Sequence, residues 1–157
     1  HIRPYRQDDA PALFEVFLSA IHLVARQHYT QEQLDAWAPR DLDPQRWRDK
    51  MRDIDPFVAE RDGQVVGYAD LQPDGYIDHF FVSGRHPRQG IGSRLMRHLL
   101  ARAEARGIGV LTSDVSRTAQ PLYERFGFAV VEQRFPVLRG VVVPNARLRR
   151  APATEVM

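Results

Sequence analysis

Apolar residues recur with a helical period in some stretches of this chain and with a strand period in others, and the switches between them mark out its elements. Ile2–Tyr5 reads as a short edge strand. Asp8 and Asp9 ahead of Pro11 place acids and a proline where a helix begins. Leu13, Phe14, Phe17, Leu18, Ile21 and Val24 then follow helical spacing, which predicts a helix to about Arg26. Thr30 with Gln33 is a capping-box signal for a second short helix reaching Trp37, and Pro39 stops it. Asp43-Pro44 opens a third, carrying Trp47 and Met51.

Three strands come next: Pro56–Arg61, Gln64–Gln72 and Tyr76–Val82. Asp62-Gly63 and Asp74-Gly75 separate them, and Asp-Gly pairs between apolar runs predict hairpins, hence an antiparallel meander. Ile91, Leu95 and Leu99, widened by Met96, Leu100 and Ala103, predict an amphipathic helix that Gly107 ends. Val110–Val115 reads as a further core strand, parallel to Tyr76–Val82 across that helix. Ser116–Arg125 reads as a helix closed by Gly127, Ala129–Arg134 and about Val137–Val143 as final strands, and the polar tail after Asn145 as frayed.

The long helix begins with bare backbone. Gly90 and Gly92 flank its first residue, and a helix N-terminus offers about four N–H groups without intrahelical partners plus a partial positive charge. Arg85, Arg88 and Arg94 add cations, so the pattern points to a phosphate-bearing ligand. The third glycine of the dinucleotide pattern is missing, and no Gly-Lys-Ser/Thr follows as a Walker loop requires.

Composition narrows the classes further. A length of 157 residues suits a single domain. The chain has no cysteine, which removes disulfides, a thiolate nucleophile and thiolate metal ligands. No apolar run approaches the roughly 18 residues of a membrane span, and the start shows no signal-peptide pattern, so a cytoplasmic location is expected. His1 is an unusual first residue, which suggests that the natural start lies upstream. A formal charge of +2 gives no reason to expect nucleic acid; the basic stretch Arg147, Arg149, Arg150 is explained by a solvated terminus. His22 and His28 are six residues apart, not the four of a helical zinc pair, and no metal is expected.

Two blocks carry a family resemblance. Phe81-Val82 leading to Gln89-Gly90-Ile91-Gly92-Ser93, and Ser116–Phe128 with Ala119, Leu122, Tyr123, Gly127 and Phe128, resemble the cofactor-binding segments of the GNAT superfamily of N-acetyltransferases. They cover about a third of the chain. Pro87 stands where the family carries Arg or Gln, with Arg88 next to it, and Ser116 stands where the family carries Asn. The resemblance implies a mixed α/β (α+β) fold in one domain, with a mostly antiparallel central sheet and helices on both faces. It implies acetyl-CoA as co-substrate, its pyrophosphate on the amides from Gln89 to Ser93 with Arg88, and its pantetheine along Phe81, Val82, Ser116 and Ala119.

On that resemblance Tyr123 is the proton donor to the leaving thiolate, since a phenol suits a thiolate with conjugate-acid pKa near ~8.5; its other reading is a ring packed under the sheet. Asp78 and His79 are candidate bases. Strand alternation points them to opposite faces, and the residues alone do not choose between them or between a catalytic and a core histidine. His22, His28, Tyr29 and Trp37 concentrate where the family lines its acceptor groove, although Trp37 and Trp47 can equally fasten short helices to the sheet. The expected activity is direct transfer of an acetyl group to a primary amine of a small molecule or peptide, by a monomer or homodimer. The alternative is a non-catalytic acyl-CoA-binding or sensor module, motivated by Pro87 and Ser116.

Overall fold

The computed structural model describes residues 1–152. The chain opens with β1 (Ile2–Pro4), α1 (Ala10–Ser19), α2 (Gln31–Trp37) and α3 (Pro44–Ile54), then enters β2 (Phe57–Arg61), β3 (Gln64–Ala69), β4 (Tyr76–Ile77) and β5 (Phe80–Val82). There follow α4 (Ile91–Ala105), β6 (Leu111–Ser116), α5 (Gln120–Arg125), β7 (Ala129–Arg134), β8 (Val137–Leu138), β9 (Val141–Val142) and β10 (Asn145–Arg150).

Local chemistry accounts for most of these boundaries. Thr30 Oγ1 accepts from the Gln33 N–H at 3.2 Å, and the Gln33 side chain accepts in return from the Thr30 N–H at 2.9 Å, the reciprocal bonds of a capping box. Asp43 caps α3 by accepting from the Gln45 N–H at 3.0 Å. The helix after Asp9 reaches Gln27, but beyond Ser19 it widens into a π turn (Ala20–Val24) and tightens into a 3₁₀ turn (Ala25–Gln27). Asp9 does not cap it; its carboxylate takes two bonds from the Arg3 guanidinium, at 2.8 and 2.7 Å, and ties β1 to the start of α1. At Asp62-Gly63 both residues have positive φ, 53° and 77°, as a two-residue type I′ turn requires.

Eight of the ten strands described form two four-stranded sheets, and β8 pairs with β9 in a third. One, in the order β1-β2-β3-β5, is antiparallel throughout; the other, β4-β6-β10-β7, pairs β4 with β6 in parallel and the rest antiparallel. Helices cover both faces. Leu13, Phe17, Ile21, Leu34 and Met51 from α1 to α3 and the following turns bury against Val58 and Tyr68, while Leu95, Met96, Leu99 and Tyr123 from α4 and α5 bury against Val66, Ile77 and Leu148. Trp47 fastens α3 to α1, its Nε1–H donating to the Ala10 carbonyl at 2.8 Å.

Three expectations are corrected. Tyr76–Val82 is two strands, because the side chain of Asp70 takes the backbone N–H groups of Asp78 and His79, at 2.9 and 2.6 Å, that a continuous ladder would have used. Val137–Val143 is a hairpin: Arg139 and Gly140, with φ of 48° and 78°, turn the chain between β8 and β9. Asn145–Arg150 is no frayed tail; β10 lies between β6 and β7, hydrogen-bonded to both, and the rest of the expected tail, residues 153–157, lies outside the described residues.

Candidate active site

The Asp70 carboxylate builds the opening. It is fully buried, and its second oxygen accepts from Gln72 Nε2 at 2.6 Å. By holding Asp78 and His79 out of register it sends β5 to pair with β3 and leaves β4 on β6, so the two halves of the expected strand belong to different sheets. Burial raises its pKa to about 6.

One cavity of about 420 Å³ runs from the loop before α4, past β5, to the turn before α5. All ten residues expected at the cofactor, from Phe81 to Ala119, line it. At its outer end Gly90 sits at the N-cap of α4 with φ of 73°, and no side chain caps the helix there. Arg88 precedes it, itself at φ of 60°, and Arg61 holds the neighbouring Gln89 side chain at 2.7 Å. Gly92 is needed for a different reason: a Cβ there would lie 3.0 Å from Leu122 Cδ2. Gly84 pins the loop to the end of α1, its N–H donating to Ser19 Oγ at 3.0 Å. Of the cations expected at the phosphate, Arg88 lines the cavity; Arg125, on α5, does so as well, and Arg85 and Arg94 do not. The opposite wall is the π turn, with Ala20, Ile21 and Val24.

A second cavity, about 350 Å³, lies on the other side of the strand break. Trp37, Phe81 and Ser116 line both, so the two are neighbours across those side chains. Asp78 and His79 both line the second cavity, contrary to the strand alternation, because the break between β4 and β5 falls on them. Asp78 is engaged by Lys50 Nζ at 2.6 Å. His79 lies among Phe17, Trp47, Tyr68 and Phe81, its Nδ1 3.0 Å from the Tyr68 hydroxyl. Burial in that aromatic setting pushes its pKa down to about 4, against the pull of Asp78, so at neutral pH the ring is uncharged.

The expected acceptor residues separate. Tyr29 and Trp37 line the second cavity, with the Tyr29 hydroxyl donating to the Pro144 carbonyl at 2.6 Å. His22 lines neither: it is buried and its Nε2–H donates to the Ala38 carbonyl at 2.7 Å, joining the π turn to the end of α2. His28 is exposed, its Nδ1 2.9 Å from Thr118 Oγ1, at the rim of the first cavity. Asp114, Arg134 and Arg139, absent from the sequence expectation, line the second cavity. Their side chains converge from β6, β7 and the β8–β9 turn, and no local spacing announces that.

Tyr123 is 2 % exposed and lines neither cavity. Its ring packs against Phe80 and Phe128, and its hydroxyl lies 3.3 Å from Ser113 Oγ. Ser113 donates its own proton to the Ile77 carbonyl at 2.7 Å, so the phenol is the donor in that pair. Burial raises the phenol's pKa well above the usual value, and it stays protonated.

The fold is α/β, with a broken central strand beside a glycine-opened helix and a cavity on each side of the break. The chain belongs to the GNAT acetyltransferase family, a family of acyl-CoA-dependent N-acyltransferases: the family model described as "Acetyltransferase (GNAT) domain" matches residues 25–142. It is 35 % identical over 151 residues to the uncharacterized N-acetyltransferase YafP of Escherichia coli (strain K12), covering 96 % of this chain and 95 % of YafP. Its fold resembles that of a GCN5-related N-acetyltransferase from Rhodopseudomonas palustris, with a TM-score of 0.90 and 26 % identity over 96 % of this chain and 94 % of that one. It also resembles YncA, a putative acetyltransferase from Salmonella typhimurium solved with its cofactor acetyl-CoA, with a TM-score of 0.68 and 20 % identity over 96 % and 92 %. Among the described residues, no helix is long and apolar enough to cross a membrane.

Proposed function

We propose that this chain binds acetyl-CoA in the 420 Å³ cavity and transfers its acetyl group directly to an amine held in the 350 Å³ cavity. The observation that carries this reading is that Trp37, Phe81 and Ser116 line both cavities, which brings a thioester held in one close to a nucleophile held in the other. The pyrophosphate rests on the free amides at the start of α4 with Arg88 and Arg125 beside it, and the pantetheine follows β5 toward Ser116. With no cysteine in the chain, direct attack of the amine is the economical route.

Tyr123 is the proposed proton source for the departing thiolate. It keeps its proton at every physiological pH, and it lies beneath the break between β4 and β5, joined through Ser113 to Ile77. Ser116 lines both cavities, where Tyr123 lines neither, and is the second candidate; its Oγ accepts from the Ala119 N–H at 3.1 Å. Calorimetric titration with acetyl-CoA and with CoA, followed by thiol release in the presence of amines, tests the reading. Binding with transfer is expected. Binding with no transfer to any amine would leave an acyl-CoA sensor, and no binding would remove the reading altogether.

A further inference from the structure

We infer, resting on the acyl-transfer reading above, that the acceptor is an amine already uncharged at neutral pH, carried on a planar apolar body such as an aromatic ring, with an anionic substituent directed at Arg139.

The walls of the acceptor cavity set the shape. Phe17, Tyr29, Trp37, Tyr76, His79 and Phe81 supply rings from α1, α2, the turn before α2 and both halves of the broken strand. They are mutually braced: Phe17 stacks on His79 with centroids 5.8 Å apart, Phe81 meets Phe17 edge-on at 5.1 Å, and Trp37 meets Tyr29 edge-on at 5.6 Å. A flat apolar ligand gains offset or edge contacts against such walls, and about 350 Å³ is at the small end of ligand cavities.

Charge sets the state of the nitrogen. The cavity has two carboxylates, and cations already hold both. Asp78 is 2.6 Å from Lys50 Nζ. Asp114 takes Arg147 at 2.9 Å and Arg134 at 3.0 Å, and also accepts from the Tyr76 hydroxyl at 3.1 Å. Among the described residues Arg139 donates to the Ala36 carbonyl at 2.8 Å and forms no ion pair. An alkylammonium ion would meet no unpaired carboxylate here and an excess of positive charge; a carboxylate on the acceptor would complete Arg139.

The groups facing the amine also lack a base suited to stripping an ammonium. His79 is neutral but weakly basic, with its pKa near 4; burial raises both tyrosines, Tyr76 to about 12; and against burial the Arg147 and Arg134 partners lower Asp114. An amine as basic as lysine leaves fewer than about one molecule in a thousand neutral at pH 7. An aromatic amine needs no such step. Its nitrogen lone pair attacks the thioester carbonyl carbon, the C–N bond forms, the C–S bond breaks with its electron pair leaving on sulfur, and the proton shed by nitrogen ends on that sulfur as the CoA thiol.

The test compares para-aminobenzoate and aniline with phenethylamine and spermidine as acceptors for the full chain, reading CoA thiol release, with acetyl-CoA binding measured separately by calorimetry. At about pH 7, kcat/KM for para-aminobenzoate is expected to exceed that for phenethylamine by at least about tenfold, and to stay flat up to about pH 8.5 where phenethylamine gains about tenfold per pH unit. Arg139→Ala is expected to raise the KM for para-aminobenzoate relative to that for aniline. A preference for the alkylamines at neutral pH, or bound acetyl-CoA with no aromatic amine acetylated, overturns the inference while leaving acyl transfer standing. Absence of acetyl-CoA binding overturns both.

Discussion

Two hydroxyls are the proposed proton sources for the thiolate, and they make different predictions. Tyr123 is enclosed between Phe80 and Phe128 and holds its proton firmly; Ser116 lines both cavities but is a poorer acid. If Tyr123 delivers the proton, Tyr123→Phe lowers kcat by roughly two orders of magnitude with the acetyl-CoA KM nearly unchanged. Ser116→Ala then acts on the acetyl-CoA KM. The reverse pattern in steady-state kinetics would assign the proton to Ser116 and leave Tyr123 as a packed ring. A second pair of residues speaks through stability. Asp70, raised to about 6, binds a proton in the folded protein that the unfolded chain has lost above about pH 4, so its contribution falls as pH rises from about 4 to 6. His79, lowered to about 4, is protonated in the unfolded chain up to about 6.5 and neutral when folded, so its contribution rises over nearly the same window. Each amounts to roughly 3 kcal/mol at about 1.36 kcal/mol per pKa unit, and in the native chain they oppose. Asp70→Asn can still accept from the two N–H groups through its amide oxygen; it turns its amide nitrogen toward Gln72 Nε2, a cost that does not vary with pH, and it removes the falling limb. Denaturant titrations of that variant are expected to show stability rising by roughly 3 kcal/mol between about pH 4 and 6.5; a slope unchanged from wild type would refute the opposition.

At the scale of elements, α4 was readable because its causes are local. The stripe from Ile91 to Ala103 is periodic in sequence, and the glycines that open it sit where the helix starts. The two glycines nevertheless do different work. Gly90 has open space around it and a positive φ, so Gly90→Ala costs about 1 kcal/mol of stability from backbone strain. Gly92 is helical, and an added methyl presses on Leu122, which lines the cavity proposed for acetyl-CoA. Gly92→Ala is therefore expected to weaken acetyl-CoA binding in calorimetry more than it lowers the melting temperature, and Gly90→Ala to lower the melting temperature in the ligand-free protein. Equal effects of both on binding and none on melting would contradict this division. The strand break was not readable in the same way. Its cause is a carboxylate eight and nine residues upstream of the amides it captures, and the only mark it leaves in the sequence is two adjacent polar residues, Asp78 and His79, inside an apolar run.

At the scale of the whole molecule, the terminal strand shows why composition misleads. Asn145–Arg150 is three-sixths arginine and looks solvated, yet its Ala146 and Leu148 are 2 % and 0 % exposed and Arg147, on the other face, reaches an acid. Arg147 pairs with Asp114 on β6, and Arg134 of β7 meets the same carboxylate, so one buried-edge acid links three strands. Alternation in a six-residue stretch is weak evidence when half of it is charged, because the partners that neutralise those charges are more than ten residues away along the chain. Because β10 separates β6 from β7, removing it would deprive both of their ladder on one side and open the face beneath α4 and α5. Leu148→Ala is therefore expected to destabilise by about 2–5 kcal/mol, a large share of a typical domain's stability. Truncation after Val143 is expected to abolish the cooperative unfolding transition followed by circular dichroism, together with acetyl-CoA binding, since Ser116 and the turn into α5 hang from β6. A frayed terminus would give the opposite result, with both changes nearly silent, and a cooperative melt in the truncated chain would show that the β4–β6 pair and α4 hold the cofactor cavity without the strand that now lies at their back.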